Sequence, residues 1–187
     1  MNVYDFDRTI YGGDSAVDFY FFELRRHPSI IKYFPAQLAG FYGYFRKKIR
    51  KVAMKQIFFS FVKSIDVEKE VRLFWNKKKK KIYRWYIAQK KPTDVIISAS
   101  PEFLLKVITG DLGVNLIASR ISPKDGKFDG ENCFGDEKVA RFRADYGDAA
   151  VDEFYSDSLS DMPMAKIAKR SFRIVRGKIR DNGFGLN

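Results

Sequence analysis

Short apolar runs alternate with helix-patterned segments along this chain, and three of the runs lead into a polar group able to do chemistry. Val3–Phe6 reads as a short strand, buried on both faces, that ends around Asp5. Val95–Ile97 is a second and runs into Ser98-Ala99-Ser100; Leu116–Ala118 is a third. Glu153–Ser156 is a fourth, followed at once by Asp157-Ser158-Leu159-Ser160-Asp161, and Phe172–Val175 is a fifth. Strands that alternate with helices require right-handed crossovers, so the expected architecture is α/β, a parallel sheet flanked by helices. Such sheets bind ligands beyond the carboxyl ends of their strands. Asp5, Ser98 and Asp157 all fall there.

The helices follow from breakers and spacing. Asp14 or Ser15 is a suitable N-cap for a helix to about Arg26, which His27–Pro28 ends because proline disfavours helical geometry in the residue before it. Phe34, Leu38, Phe41 and Phe45 recur at helical spacing. Further helices are expected over Val52–Lys63 and, capped by Asp66, as far as about Gln89. Pro101 suits the first turn of a helix to about Asp111, and Ser122–Gly130, with Asp125-Gly126, reads as a hairpin turn. A helix is expected from near Asp136 to before Gly147, another after Asp161 to about Ala168, and a polar, Gly-rich tail beyond Arg180.

Composition narrows the chemistry. Hydrophobic content of 45% and charged content of 31% are globular values, and 187 residues can bury a sizeable core. A lone Cys133 excludes an internal disulfide framework and a cysteine-based zinc site, while a lone His27 argues against a His-centred triad or a multi-His metal site. Carboxylates, hydroxyls, lysines and an oxygen-ligated metal remain. The N-terminus has no basic region followed by an apolar core. The longest strongly apolar uncharged stretch, Tyr33–Phe45, is 13 residues, short of the ~20 that span a bilayer. A cytoplasmic protein is expected.

The net charge of +12 is unevenly spread. Tyr11–Lys91 holds 20 Lys+Arg and 6 Asp+Glu, a net of +14, and the rest of the chain holds 15 and 17, a net of −2. The chain is a basic insertion inside a slightly acidic body. Lys77–Lys81 reads first as a solvated helix face and alternatively as an anion-attracting surface.

Asp5 and Asp7 are one residue apart, so in an extended chain their side chains share a face and repel unless a cation sits between them or the chain bends. A bare D-x-D is common in acidic turns and does not stand alone. Four motifs taken together, D-F-D-R-T at Asp5–Thr9, the strand ending in Ser98, G-D-E-K-V-A-R-F around Lys138, and Y-S-D-S-L-S-D-M-P at Tyr155–Pro163, resemble the haloacid dehalogenase superfamily, in the branch that includes phosphoserine phosphatase.

That resemblance implies a Rossmann-like core of residues 1–10 and 93–187, with residues 11–92 as an inserted helical cap. It implies a magnesium-dependent phosphatase. Asp5 would be the nucleophile that forms an aspartyl-phosphate, and Asp7 the general acid and then base. The Asp5 carboxylate, the Asp7 backbone carbonyl and Asp157 would hold Mg2+, with Asp161 supporting the metal through its waters or pairing with Lys138. Ser98, the Ala99 N–H and Lys138 would grip the phosphoryl oxygens. Ser100 reads as a strand-end or N-cap residue, although register alone leaves it an alternative to Ser98. Arg25, Arg26 and Tyr20 are candidates for specificity residues in the cap.

Val114–Ile121, Gly135–Ala140 and Tyr155–Pro163 are also similar to a bacterial phosphatidylglycerophosphate phosphatase, whose cap carries a longer apolar segment. The counterpart here, Phe34–Phe45 followed by the basic Arg46–Lys51, could lie on an anionic membrane, although aromatic packing inside the cap is the preferred reading. The substrate would then be a small phosphorylated metabolite or a lipid-headgroup phosphate. Binding of nucleic acid by the basic insertion is a further alternative that leaves the acidic motifs without a use.

Overall fold

The computed structural model describes residues 1–180 with 184 and 185. In chain order, β1 (Asn2–Tyr4) is followed by five helices, α1 (Ser15–Arg26), α2 (Phe34–Phe45), α3 (Lys51–Phe59), α4 (Val67–Lys78) and α5 (Arg84–Gln89). Then come β2 (Val95–Pro101), α6 (Glu102–Leu112), β3 (Asn115–Ser119), α7 (Asp136–Tyr146), β4 (Val151–Ser156), α8 (Met162–Ile167), β5 (Ala168–Val175) and β6 (Lys178–Arg180). Among the described residues the strands form one sheet in the order β3-β2-β1-β4-β5-β6. Neighbours pair in parallel except β5 and β6, which are antiparallel.

The period of two sorts the strand residues onto two cores. Tyr4, Ile96 and Tyr155 face one, Val3, Val95, Ile97, Ile117 and Phe154 the other. The first core is continuous with the inserted helices: Phe19 of α1 and Phe74 and Trp75 of α4 pack together, Trp75 meets Phe6 edge-on at 5.8 Å, and its Nε1 donates to the carbonyl of Leu104 in α6. The second is closed by Phe142 of α7, by Met164 and Ala165 of α8, and by Phe184. Phe184 is all that is described of the expected polar tail besides Gly185; the rest of it lies outside the described residues.

Several boundaries are as expected. Asp14 caps α1 by accepting from the Val17 N–H, and Gly113 ends α6 in the left-handed region at φ 65°. The predicted hairpin turn closes through an antiparallel bridge between Ile121 and Phe128. Three differ. The helix expected from Asp66 to Gln89 is two, because the chain unwinds after Lys78 into one 3-10 turn and bonds the loop after β1: Ile82 bridges Tyr11, the Gly12 N–H donates to the Lys81 carbonyl and the Tyr83 N–H to the Ile10 carbonyl. The helix expected over Val52–Lys63 tightens to 3-10 geometry from Ser60. β6 was not anticipated; a turn through Arg176 and Gly177, both at positive φ, returns the chain onto β5.

α2 also corrects an expectation. Its apolar stripe is not inside the insertion: Phe34, Leu38, Phe41 and Phe45 are exposed, Phe45 to 78%. The face that packs is the small, polar one. Gly40 sits so close to Ile57 of α3 that a β-carbon would lie 3.1 Å from it, and Gln37 accepts from the Tyr20 hydroxyl and donates to the Phe58 carbonyl.

Candidate active site

Chain order reverses around β1, which has β2 on one side and β4 on the other. A crevice opens beyond the carboxyl ends of strands at such a switch point. Here it is a cavity of about 330 Å³, and Asp5, Asp7, Ser98, Ala99, Lys138, Asp157 and Asp161 all line it. These seven residues, expected from the four motifs, are therefore brought to one place from four separate segments.

Local turns aim them. After β1 the Phe6 carbonyl accepts the N–H groups of Thr9, Ile10 and Tyr11, with Arg8 at φ 59°, a left-handed conformation that costs an L-residue ~1–2 kcal/mol. That bend resolves the repulsion foreseen between Asp5 and Asp7 by giving them different partners. Asp5 Oδ1 accepts from Lys138 Nζ at 2.7 Å and Oδ2 from the Thr9 hydroxyl at 3.1 Å. Asp7 turns to α1, where Oδ1 accepts the Ser15 N–H at 2.6 Å, and its Oδ2 accepts from the Ser100 hydroxyl. Thr9 also receives the Asp157 N–H at 3.0 Å, which ties the end of β4 to that of β1.

Lys138, in the first turn of α7, is 1% exposed. Its second carboxylate is Asp161, at 2.8 Å, which also accepts from the Ser156 hydroxyl at 2.6 Å. Of the two supporting roles expected for Asp161, pairing with Lys138 is the one seen. Burial opposes the ammonium, but Asp5 and Asp161 beside it hold its pKa above the usual lysine range. Burial acts the other way on the acids: it outweighs Lys138 and pushes Asp5 up to about 7. Burial, then the neighbouring Asp14 charge, pushes Asp7 up to about 6, and burial also raises Asp157. Desolvated carboxylates that converge on one cavity fit a divalent cation, and the donor set, all oxygen, fits magnesium.

Both serines line the cavity, and the Ser98 hydroxyl accepts the Ser100 N–H at 3.1 Å. Ser100 is not an N-cap: it lies inside β2, the cap position of α6 is Pro101, and its hydroxyl is bonded to Asp7.

The guesses for specificity residues fail on position. Tyr20, Arg25 and Arg26 do not line the cavity; Tyr20 bonds Gln37, and Arg26 pairs with Glu70. None of Lys77–Lys81 lines it either, and Lys81 pairs with Asp18, in keeping with a solvated face. The insertion instead contributes Phe41, Phe58, Lys51 and Lys55 to the cavity. Lys55 donates to the Ala99 carbonyl and to Asn132 Oδ1, both at 2.7 Å, and burial, with Lys51 nearby, lowers it to about 8. Lys51 stands 3.5 Å from the centre of the Phe134 ring. The one signal that could have found them is their spacing, four residues apart on one helix face.

Fold and cavity together define an α/β protein in which carboxylates and a buried lysine converge on one cavity beyond the strand ends. The chain belongs to the haloacid dehalogenase-like hydrolases, whose family model matches residues 3–166. It is 29% identical over 194 aligned residues to the protein CicA of Caulobacter vibrioides, spanning 94% of this chain and 86% of that one. Among solved structures, a Bordetella pertussis protein of unknown function shares the fold with a TM-score of 0.73 at 18% identity, over 91% of this chain and 87% of that one. A phosphoserine phosphohydrolase-like protein from Francisella tularensis superposes with a TM-score of 0.57 at 16% identity, over 91% and 86%.

Proposed function

We propose that the chain is a magnesium-dependent phosphomonoesterase that works through an aspartyl-phosphate on Asp5. The observation that carries this reading is the buried Asp5–Lys138–Asp161 chain beside Asp7 in one cavity. Asp5 attacks phosphorus in line with the leaving oxygen, while Asp7 donates the proton that oxygen needs and then takes one from the water that cleaves the acyl phosphate. Lys138, already within bonding distance of Asp5, supplies charge to the phosphoryl oxygens, and the Ser98 hydroxyl and Ala99 N–H hold them. Asp5, the Asp7 carbonyl and Asp157, supported by Asp161, would hold Mg2+, whose charge would offset the repulsion between an anionic nucleophile and an anionic phosphate. Residues 1–10 and 93–187 are the catalytic core and residues 11–92 its cap, which excludes water over the phosphate.

The test is hydrolysis of p-nitrophenyl phosphate with Mg2+. Asp5→Asn is expected to fall to background and Asp7→Asn to lose ~10²–10⁴-fold, the worth of a positioned proton donor. Full activity of the Asp5→Asn variant would remove the reading.

The choice of substrate follows from α2. Its exposed aromatic stripe continues into the cavity at Phe41, and Arg46, Lys47, Lys48 and Arg50 follow it. An apolar stripe beside basic residues suits an anionic bilayer surface, so the phosphate is one borne by a lipid headgroup, and the protein acts peripherally at a membrane. Greater turnover of soluble phosphometabolites than of lipid phosphates presented in vesicles would count against this.

A further inference from the structure

The inserted helices hold a second cluster of titratable groups, outside the cavity. Glu23 lies one turn before His27, the cap residue at the C-terminal end of α1, and Glu70 faces them from α4. His27 Nε2 is 3.7 Å from Oε2 of Glu23 and 3.3 Å from Oε1 of Glu70. One ligand atom from each of the three lies within 4.8 Å of the other two. Glu23 is completely buried, and among the described residues neither of its carboxylate oxygens has a hydrogen-bond partner; nor has His27 Nε2. Arg26 does not supply one: its Nε and Nη2 bond the two oxygens of Glu70, at 2.6 and 3.2 Å, and leave Glu23 unanswered.

A desolvated, unpaired carboxylate is among the costliest groups a core can hold. Burial, with the Glu70 charge beside it, pushes the Glu23 carboxyl up to about 8. A proton removes its charge but leaves its oxygens without partners. A metal ion would serve both.

We propose that Glu23, His27 and Glu70 bind a divalent transition-metal ion, zinc by ligand type. Bonds of ~2.1 Å set neighbouring ligand atoms about 3.0–3.4 Å apart, and the spacings around His27 Nε2 need only a small closure to reach that. An imidazole with two carboxylates is a zinc-type set, whereas magnesium keeps its waters and takes oxygen ligands. Binding displaces the proton of Glu23 and uses neutral His27. The His27 side chain is 35% exposed, so the ion enters from solvent at that edge. The ion staples α1 to α4. α1 spans 12 residues, ~18 Å, and its other end holds Asp7 through the Ser15 N–H, so the staple fixes a helix on which the cavity is built without touching the cavity.

The catalytic carboxylates could also take up zinc, so the test uses the full chain carrying Asp157→Asn, stripped of metal with chelator, then equilibrated with Zn2+ and analysed for bound zinc and melting temperature. The expected result is one equivalent of zinc retained and a higher melting temperature in its presence. Both are lost when Glu23→Gln or, separately, His27→Asn is added. Glu23→Gln alone keeps Mg2+-dependent hydrolysis. No retained zinc, or equal retention with Glu23→Gln and His27→Asn present, would overturn the proposal and leave a proton as the occupant of Glu23.

Discussion

Lys55 shows how a single buried charge couples the inserted helices to the strand ends. Its ammonium bridges α3 to the Ala99 carbonyl and to Asn132, which also accepts from the Ser119 hydroxyl. Burial lowers its pKa to about 8 in the folded chain, against the ordinary lysine value of 10.5. Between those values the unfolded chain binds more protons than the folded one, so this group's contribution to stability rises with pH across that window. Measured by thermal melting, the wild type should therefore gain on Lys55→Met between pH 8 and about 10.5. A difference in melting temperature that stays flat over that range would show that the Lys55 pKa is not depressed. The four-residue spacing from Lys51 is the one mark Lys55 carries in the sequence, and it is lost among 20 basic residues in a segment of net +14. Asp5, Asp7 and Asp157 were legible only jointly, because a carboxylate in a turn or at a helix cap is common by itself and it is the ordered set of four motifs that carries the resemblance.

At the scale of elements, the Ser122–Gly130 turn docks onto the end of α3. Gly126 sits at φ 74°, and a β-carbon there would lie 2.5 Å from the Phe59 carbonyl oxygen. Gly126→Ala must bear both the left-handed strain and the separation of the two backbones, a loss of about 2 kcal/mol or more. Urea unfolding with an unchanged m-value would read it as a lower midpoint; a change below about 0.5 kcal/mol, ordinary for a surface site, would mean that the turn does not pack on α3. The turn itself was visible as Asp125-Gly126, but its neighbour was not, because a turn signal says how the chain reverses and not what it touches. The break at Lys78 was hidden for a related reason: Val67–Gln89 is helix-compatible throughout, and only the bonds to Ile10, Tyr11 and Gly12 unwind it.

For the molecule as a whole, the charge partition and the exposed stripe of α2 act together. No helix among the described residues is long and apolar enough to cross a membrane. The proposed peripheral binding would use this basic, apolar surface, with each basic residue near an anionic surface worth ~1 kcal/mol. Sedimentation with phosphatidylglycerol vesicles is expected to carry the protein down at low salt and to release it as salt rises, since charge attraction is screened beyond ~8 Å at physiological ionic strength. Phe45→Ser with Leu38→Ser should weaken the binding without changing hydrolysis of soluble esters. Equal partition onto neutral and anionic vesicles, or none onto either, would set the lipid reading aside.

The alternation of strand and helix, the polar groups at strand ends and the order of the four motifs were set by local sequence, because propensity, capping and the period of two act within a few residues of each other. Local patterning determined the α/β class, and the resemblance carried by the four motifs pointed to Asp5, Asp7, Ser98, Lys138, Asp157 and Asp161. Tertiary structure alone decided which face of α2 is buried, since both its faces are helix-compatible and the close contact of Gly40 with Ile57 chooses the small one. It also decided that Lys55 reaches the cavity while Arg26 does not, and that Glu23, His27 and Glu70 meet. Those outcomes depend on pairs of residues far apart in the chain, and such pairs leave no periodic trace in the sequence.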